Sequence, residues 1–164
     1  MGAVTDPLWG DVADVFDPVA MGRLPDVWVP GVSAADWQAL FDLVVARGWW
    51  HEYDEGGRVL PLPTAARVLA RPADAEAPNL CVRVGPGPGF LAVFRFLSDE
   101  TIDFDIDLHE LRDQEGLDAF CGFLRAIGRR VDRTLFLCPE GADVDLAILW
   151  YEPGGDRIAV RHDR

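Results

Sequence analysis

Residues 90–108 read FLAVFRFLSDETIDFDIDL, two strand-like runs around a short polar turn. Side-chain parity decides how they pair. A loop at 98–100 sets Leu97 opposite Thr101, and one face is then uniformly apolar: Phe96 with Ile102, Phe94 with Phe104, Ala92 with Ile106, Phe90 with Leu108. The other face sets Arg95 against Asp103, Val93 against Asp105 and Leu91 against Asp107. A loop one residue shorter would place Phe96 against Asp103 and mix both faces. The longer loop is therefore predicted, with one face of the hairpin in the core.

The other face carries aspartates about 7 Å apart, because a strand rises about 3.3–3.4 Å per residue. Arg95 is expected to neutralise Asp103 across the strands, a contribution of about 0.2–1 kcal/mol. Asp105 and Asp107 face apolar partners and need water or another molecule to stay charged. Three readings of the stripe are open: a solvated sheet face without a role, a docking surface for a basic protein, or a metal or acid/base site. The last is opposed by geometry. Ca²⁺ and Mg²⁺ draw their ligands to about 2.0–2.6 Å, and no glycine lies between Asp99 and Leu111 to bend the chain around an ion.

Working outward, residues 114–130 keep Leu117, Phe120, Cys121, Leu124, Ile127 and Val131 on one helical face. Residues 99–118 hold nine acids and one arginine, whereas 119–135 hold four arginines and one acid, an order that complements the helix dipole. A second helix is predicted over 34–47. Ser33 and Asp36 form its capping box, Trp37, Leu40, Phe41 and Val44 its apolar stripe, and Gly48 its stop. Strand character recurs at 49–54 and 58–62, around Gly56-Gly57, and at 79–84, 134–138, 146–152 and 156–160. Residues 63–71 read as a short helix opened by proline, and 72–78 as loop. LPDVWVPG (24–31), a strand between prolines, suits a sheet edge. Residues 1–25, broken by Pro7, Pro18 and Pro25, read as an irregular segment, packed on the body through a short helix of Trp9, Val12, Val15 and Phe16 or else partly mobile.

The expected fold is α+β in a single domain, 1–164. It has a mostly antiparallel sheet of about six to seven strands, with the two main helices (34–47, 114–130) on one face. The order helix, strand, glycine turn, strand occurs at 34–62 and again at 114–151, a faint internal echo.

Composition excludes several chemistries. The formal net charge is −13, which opposes nucleic-acid backbones and anionic membranes and favours rapid encounter with a basic partner. All 15 positive side chains are arginine, so Schiff-base and phosphate-loop lysines are absent. With the many Ala, Gly, Pro, Val and Asp residues, this suits a GC-rich bacterial genome. Cys81, Cys121 and Cys138 form no CxxC pair and read as buried thiols. The start of the chain lacks the basic and apolar regions of a signal peptide, and no run is long enough to span a membrane, so a cytoplasmic protein is expected. No cofactor or metal is expected.

Other candidate chemistry is thin. Ser33 is a cap and Ser98 a turn residue; neither stands in G-x-S-x-G. GPGPG (85–89) has the glycines of a phosphate loop, but its prolines remove the required N–H groups, so it reads as a hairpin connection. HEYDE (51–55) puts His51, Tyr53 and Glu55 on one strand face, a possible small-molecule or enzyme pocket between sheet and helices. Of Trp49 and Trp50, one should face the core and the other should not, leaving Trp50 as a candidate interface anchor.

The segment 99–141, DETIDFDIDLHELRDQEGLDAFCGFLRAIGRRVDRTLFLCPEG, resembles small acidic actinobacterial proteins. In these an acidic strand, a helix ending near FLRAIGRR and a strand ending in PEG recur. They are similar to immunity proteins of bacterial polymorphic-toxin systems, and the likeness spans about 26–151. It implies a non-enzymatic protein that binds and neutralises a toxin domain. The residues themselves nominate Asp103, Asp105, Asp107 and Glu110, with Trp50, for partner binding.

Overall fold

The computed structural model describes residues 6–70, 79–87 and 89–162. The loop expected at 72–78, and the end of the preceding short helix at Arg71, lie outside them. In chain order the elements are α1 (Trp9–Val12), α2 (Pro18–Met21), β1 (Asp26–Pro30), α3 (Ala34–Ala46), β2 (Trp50–Glu55), β3 (Arg58–Leu60), α4 (Ala65–Leu69), β4 (Leu80–Gly85), β5 (Ala92–Arg95), β6 (Thr101–Ile106), α5 (Gln114–Val131), β7 (Leu135–Cys138), β8 (Leu149–Glu152) and β9 (Arg157–Val160). The fold is α+β, but the described residues hold nine strands and five helices where about six to seven strands and two main helices were expected. The difference arises because every strand-like segment joins one antiparallel sheet, in the order β3-β2-β4-β5-β6-β1-β7-β8-β9.

The β5–β6 register is the one that parity requires: Ala92 pairs with Ile106, Val93 with Asp105, Phe94 with Phe104 and Arg95 with Asp103. The position of 24–31 is not the expected one. β1 lies mid-sheet, between β6 and β7. Its prolines do not interfere, because they sit at its ends. Pro30 is its last residue, and Pro25, just before it, offers a carbonyl that accepts from the Ile106 N–H at 3.3 Å.

Helix α3 carries the chain from β1 to β2 over three intervening strands, and α5 from β6 to β7 over one. The two crossovers leave antiparallel strands and travel opposite ways across the sheet. A common right hand then lays both helices on the same face, where they pack together. The echo at 34–62 and 114–151 is thus one of element order, with unequal crossovers.

The helix ends follow their sequence signals. The Asp36 N–H is 3.4 Å from Ser33 Oγ, and the Asp36 carboxylate accepts from the Ser33 N–H at 3.0 Å. Asp113 caps α5 by accepting from the Gly116 N–H at 2.9 Å. Between helices and sheet lies an aromatic core centred on Phe123, whose ring meets those of Trp49, Phe104, Phe90 and Phe94 with centroids 5.2 to 6.2 Å apart. Trp49 therefore faces inward and Trp50 is 54% exposed, as their adjacency requires.

Candidate protein-docking surface

Antiparallel partners share a sheet face, so the registers define what the face away from α3 and α5 presents. One row crosses the whole sheet: Val59, Asp54, Cys81, Arg95, Asp103, Trp28, Phe136, Trp150 and Ala159, on β3 through β9 in spatial order. The next row runs Glu52, Arg83, Val93, Asp105, Asp26 and Cys138. This face is amphipathic: half-buried Trp28, Phe136 and Trp150 stand on three adjacent strands, and a charged field lies beside them.

The acidic residues are held differently from the expectation. Asp103 and Asp105 are buried, at 6% and 8% exposure, because β1 and the Trp28 side chain flank a strand that was expected to be open. Arg95 does not neutralise Asp103. Its Nε donates to Asp105 at 3.0 Å, a diagonal reach that a long guanidinium side chain allows. Asp107, also expected to lack a protein counter-charge, lies 3.3 Å from Arg23 and accepts from the His109 N–H at 2.9 Å. That backbone bond, more than the arginine, holds its carboxyl below the usual range.

Asp103 and Asp26 form no ion pair among the described residues. Burial pushes the Asp103 carboxyl up to about 7, reinforced by the neighbouring Asp26 and opposed by Arg95. Burial also raises Asp26, against a 3.0 Å bond from the Gly141 N–H. Other described open-face arginines are also engaged: Arg83 lies 3.5 Å from Glu52 and 3.7 Å from Asp54, Arg157 3.0 Å from Glu152, and Arg161 donates to the Asp145 carbonyl at 2.7 Å. Trp28 and Trp150 are oriented by their indole N–H groups, which donate to the Ala142 carbonyl (3.2 Å) and to Glu152 (3.0 Å).

Of the nominated residues, the structure brings Asp103 and Asp105 to the middle of the sheet. Asp107 and exposed Glu110 follow the end of β6, and Trp50 stands over Gly85 at the end of β2. Trp28, Phe136 and Trp150 went unrecognised in the sequence. Each is the outward residue of a short alternating strand, but only the strand order reveals that they form one row.

The raised Asp103 pKa has a stability consequence. Below about pH 4 the folded and unfolded chains both hold this proton; between about 4 and 7 only the folded chain does; above 7 neither does. Its contribution to stability therefore falls as pH rises from about 4 to 7, then levels. Melting temperatures of the wild type and of Asp103→Asn across this range should converge or cross, the variant declining less steeply. Parallel pH profiles would contradict the burial.

Elsewhere, a cleft of about 300 Å³ lies between the β2–β3 hairpin and α4, lined by Tyr53, Glu55, Leu60–Pro63, Arg67 and Val68. His51 is not in its lining; its Nδ1 lies 3.0 Å from the Trp49 carbonyl. A shallow depression of about 710 Å³ beside α5 holds Arg125, Arg129, Asp6 and Asp156, whose charges are paired with one another. Among the described residues no three His, Cys, Asp or Glu side chains converge as a metal-ligand set, and no helix is long and apolar enough to cross a membrane. Cys121 and Cys138 are buried, with thiols pushed up to about 12 chiefly by burial, while Cys81 is half-buried on the open face.

Comparison with known proteins adds no relative: no family model, curated protein or solved structure matches the chain.

Proposed function

We propose that the chain is an acidic protein-binding module that docks a basic partner on its helix-free sheet face, specifically an immunity protein that neutralises a toxin domain. One observation carries the reading. A sheet face left open by both main helices sets three half-buried aromatic side chains in a row beside two carboxyl groups that have no arginine of their own. Aromatic residues on an uncovered face suit a contact that excludes water, and a net charge of −13 suits electrostatic steering of a basic protein. The reading implies a cytoplasmic protein, and its cysteines, unpaired with one another, suit a reducing compartment.

The test is co-expression of the chain with the product of the adjacent gene, followed by association kinetics. A stable complex is expected, with an on-rate that falls at least tenfold between about 0.05 and 0.5 M salt as charges are screened. Trp150→Ser should raise the off-rate at least tenfold with little change in on-rate. No complex, or a salt-independent on-rate, would contradict the reading.

The cleft holding Tyr53 and Glu55 favours a second reading, a small-molecule site. Its volume lies at the lower end of ligand pockets, about 300–1,000 Å³. A compound that protects Tyr53 and Val68 amides from hydrogen exchange would support that alternative.

A further inference from the structure

The charge balance of the open face points to a particular side chain on the partner. Among the described residues, open-face arginines have carboxylate partners, Arg83 with Glu52 and Asp54, Arg95 with Asp105 and Arg157 with Glu152, while Arg161, just past β9, donates to the Asp145 carbonyl at 2.7 Å. Asp26 and Asp103 remain, one diagonal to Trp28's neighbours and one directly opposite Trp28 in the β1–β6 pair. Trp28 in turn pairs with Phe136, and Phe136 with Trp150, so the three aromatic residues stand side by side on neighbouring strands, whose backbones lie about 4.8 Å apart. Aromatic surface bordered by carboxyl groups that form no ion pair attracts a cation that is weakly hydrated and planar. Guanidinium meets both conditions, whereas an ammonium holds its water more firmly. A second copy of this chain is a poor occupant, since it would bring like carboxylates together on two strongly acidic molecules.

Building on the docking-face reading above, we propose that the partner inserts arginine side chains, stacked on the Trp28–Phe136–Trp150 row, with the first guanidinium beside Asp26 and Asp103. The row gives the flat contact, Asp26 the charge, and Asp103, which burial holds partly protonated near neutral pH, gives up its proton as the cation docks. Arginine is thereby selected over lysine at the centre of the interface, while the acidic surround serves either cation during approach.

The ¹⁵N-labelled chain is titrated with tetraarginine amide and, separately, with tetralysine amide. The indole N–H signals of Trp28 and Trp150 are assigned with Trp28→Phe and Trp150→Phe. Tetraarginine is expected to move both indole signals and to bind about fivefold more tightly than tetralysine. Phe136→Ala, checked for an unchanged far-UV spectrum, should weaken tetraarginine about threefold and leave tetralysine unchanged. Equal binding of both peptides with stationary indole signals, but with open-face shifts at Val93 and Arg95, would overturn the arginine row and leave basic docking standing. Shifts confined to other surfaces would overturn both.

Discussion

Replacing Phe123 by alanine should remove about 4 kcal/mol of stability, within the roughly 3–5 kcal/mol range for deleting a buried phenylalanine. Phe123 is 2% exposed and stands where α5 crosses the sheet, in ring contact with Trp49, Phe90, Phe94 and Phe104. Those partners come from β5, β6 and the segments leading into β2 and β5, and two are on strands whose backbone cannot follow a shrinking side chain. The cavity would therefore stay partly open, which keeps the cost well above the lower end of the range. A domain of this size has about 5–15 kcal/mol in total, so the loss would be visible as a large drop in the urea midpoint with an unchanged slope. A drop of less than about 1.5 kcal/mol would show that this cluster does not tie the helix layer to the sheet.

Gly128→Ala on the same helix is expected to destabilise by about 3 kcal/mol, and its sign is diagnostic. In an open helix position the change would stabilise by about 0.8–1 kcal/mol, because glycine is the poorer helix former. At 128 an added Cβ would clash with the Tyr151 ring and lie 3.3 Å from Leu135 Cδ1. Tyr151 has little room to turn away: it is fully buried, and its hydroxyl donates to Asp156 at 2.6 Å. Overpacking of this kind costs about 1–3 kcal/mol, more where backbone must shift. Gly122 provides the internal control. It is exposed, and nothing lies within 4 Å of an added Cβ, so Gly122→Ala should stabilise. Thermal melts of the two variants should move in opposite directions; a shared direction would contradict the close approach of α5 to β8.

The sequence was most legible where pairing is local. FLAVFRFLSDETIDFDIDL carries its own register, because a hairpin joins its halves and one slipped residue would turn Ile102, Phe104, Ile106 and Leu108 to the wrong face. The helices were legible for the same reason: Ser33, Asp36 and Gly48, or Leu117 through Val131, act within a few turns. Strand order was not legible. β1 pairs with strands more than seventy residues away in sequence, and its flanking prolines pointed to an edge it does not occupy. The error propagated to the acidic strand. With β1 in place, Asp103 and Asp105 are buried instead of solvated, and Arg95 reaches Asp105 instead of Asp103. The same non-local neighbours create the aromatic row, which no single segment displays.

On the proposed function, the helix-free sheet face is what binds the partner. The most direct measurement is an amide and indole shift map of the labelled chain in the presence of the product of the adjacent gene. Perturbations should concentrate on Trp28, Val93, Arg95, Phe136 and Trp150, with the outward surfaces of α3 and α5 unchanged. Perturbations on the helix layer or around the Tyr53 cleft, with the sheet face silent, would contradict the docking face proposed here.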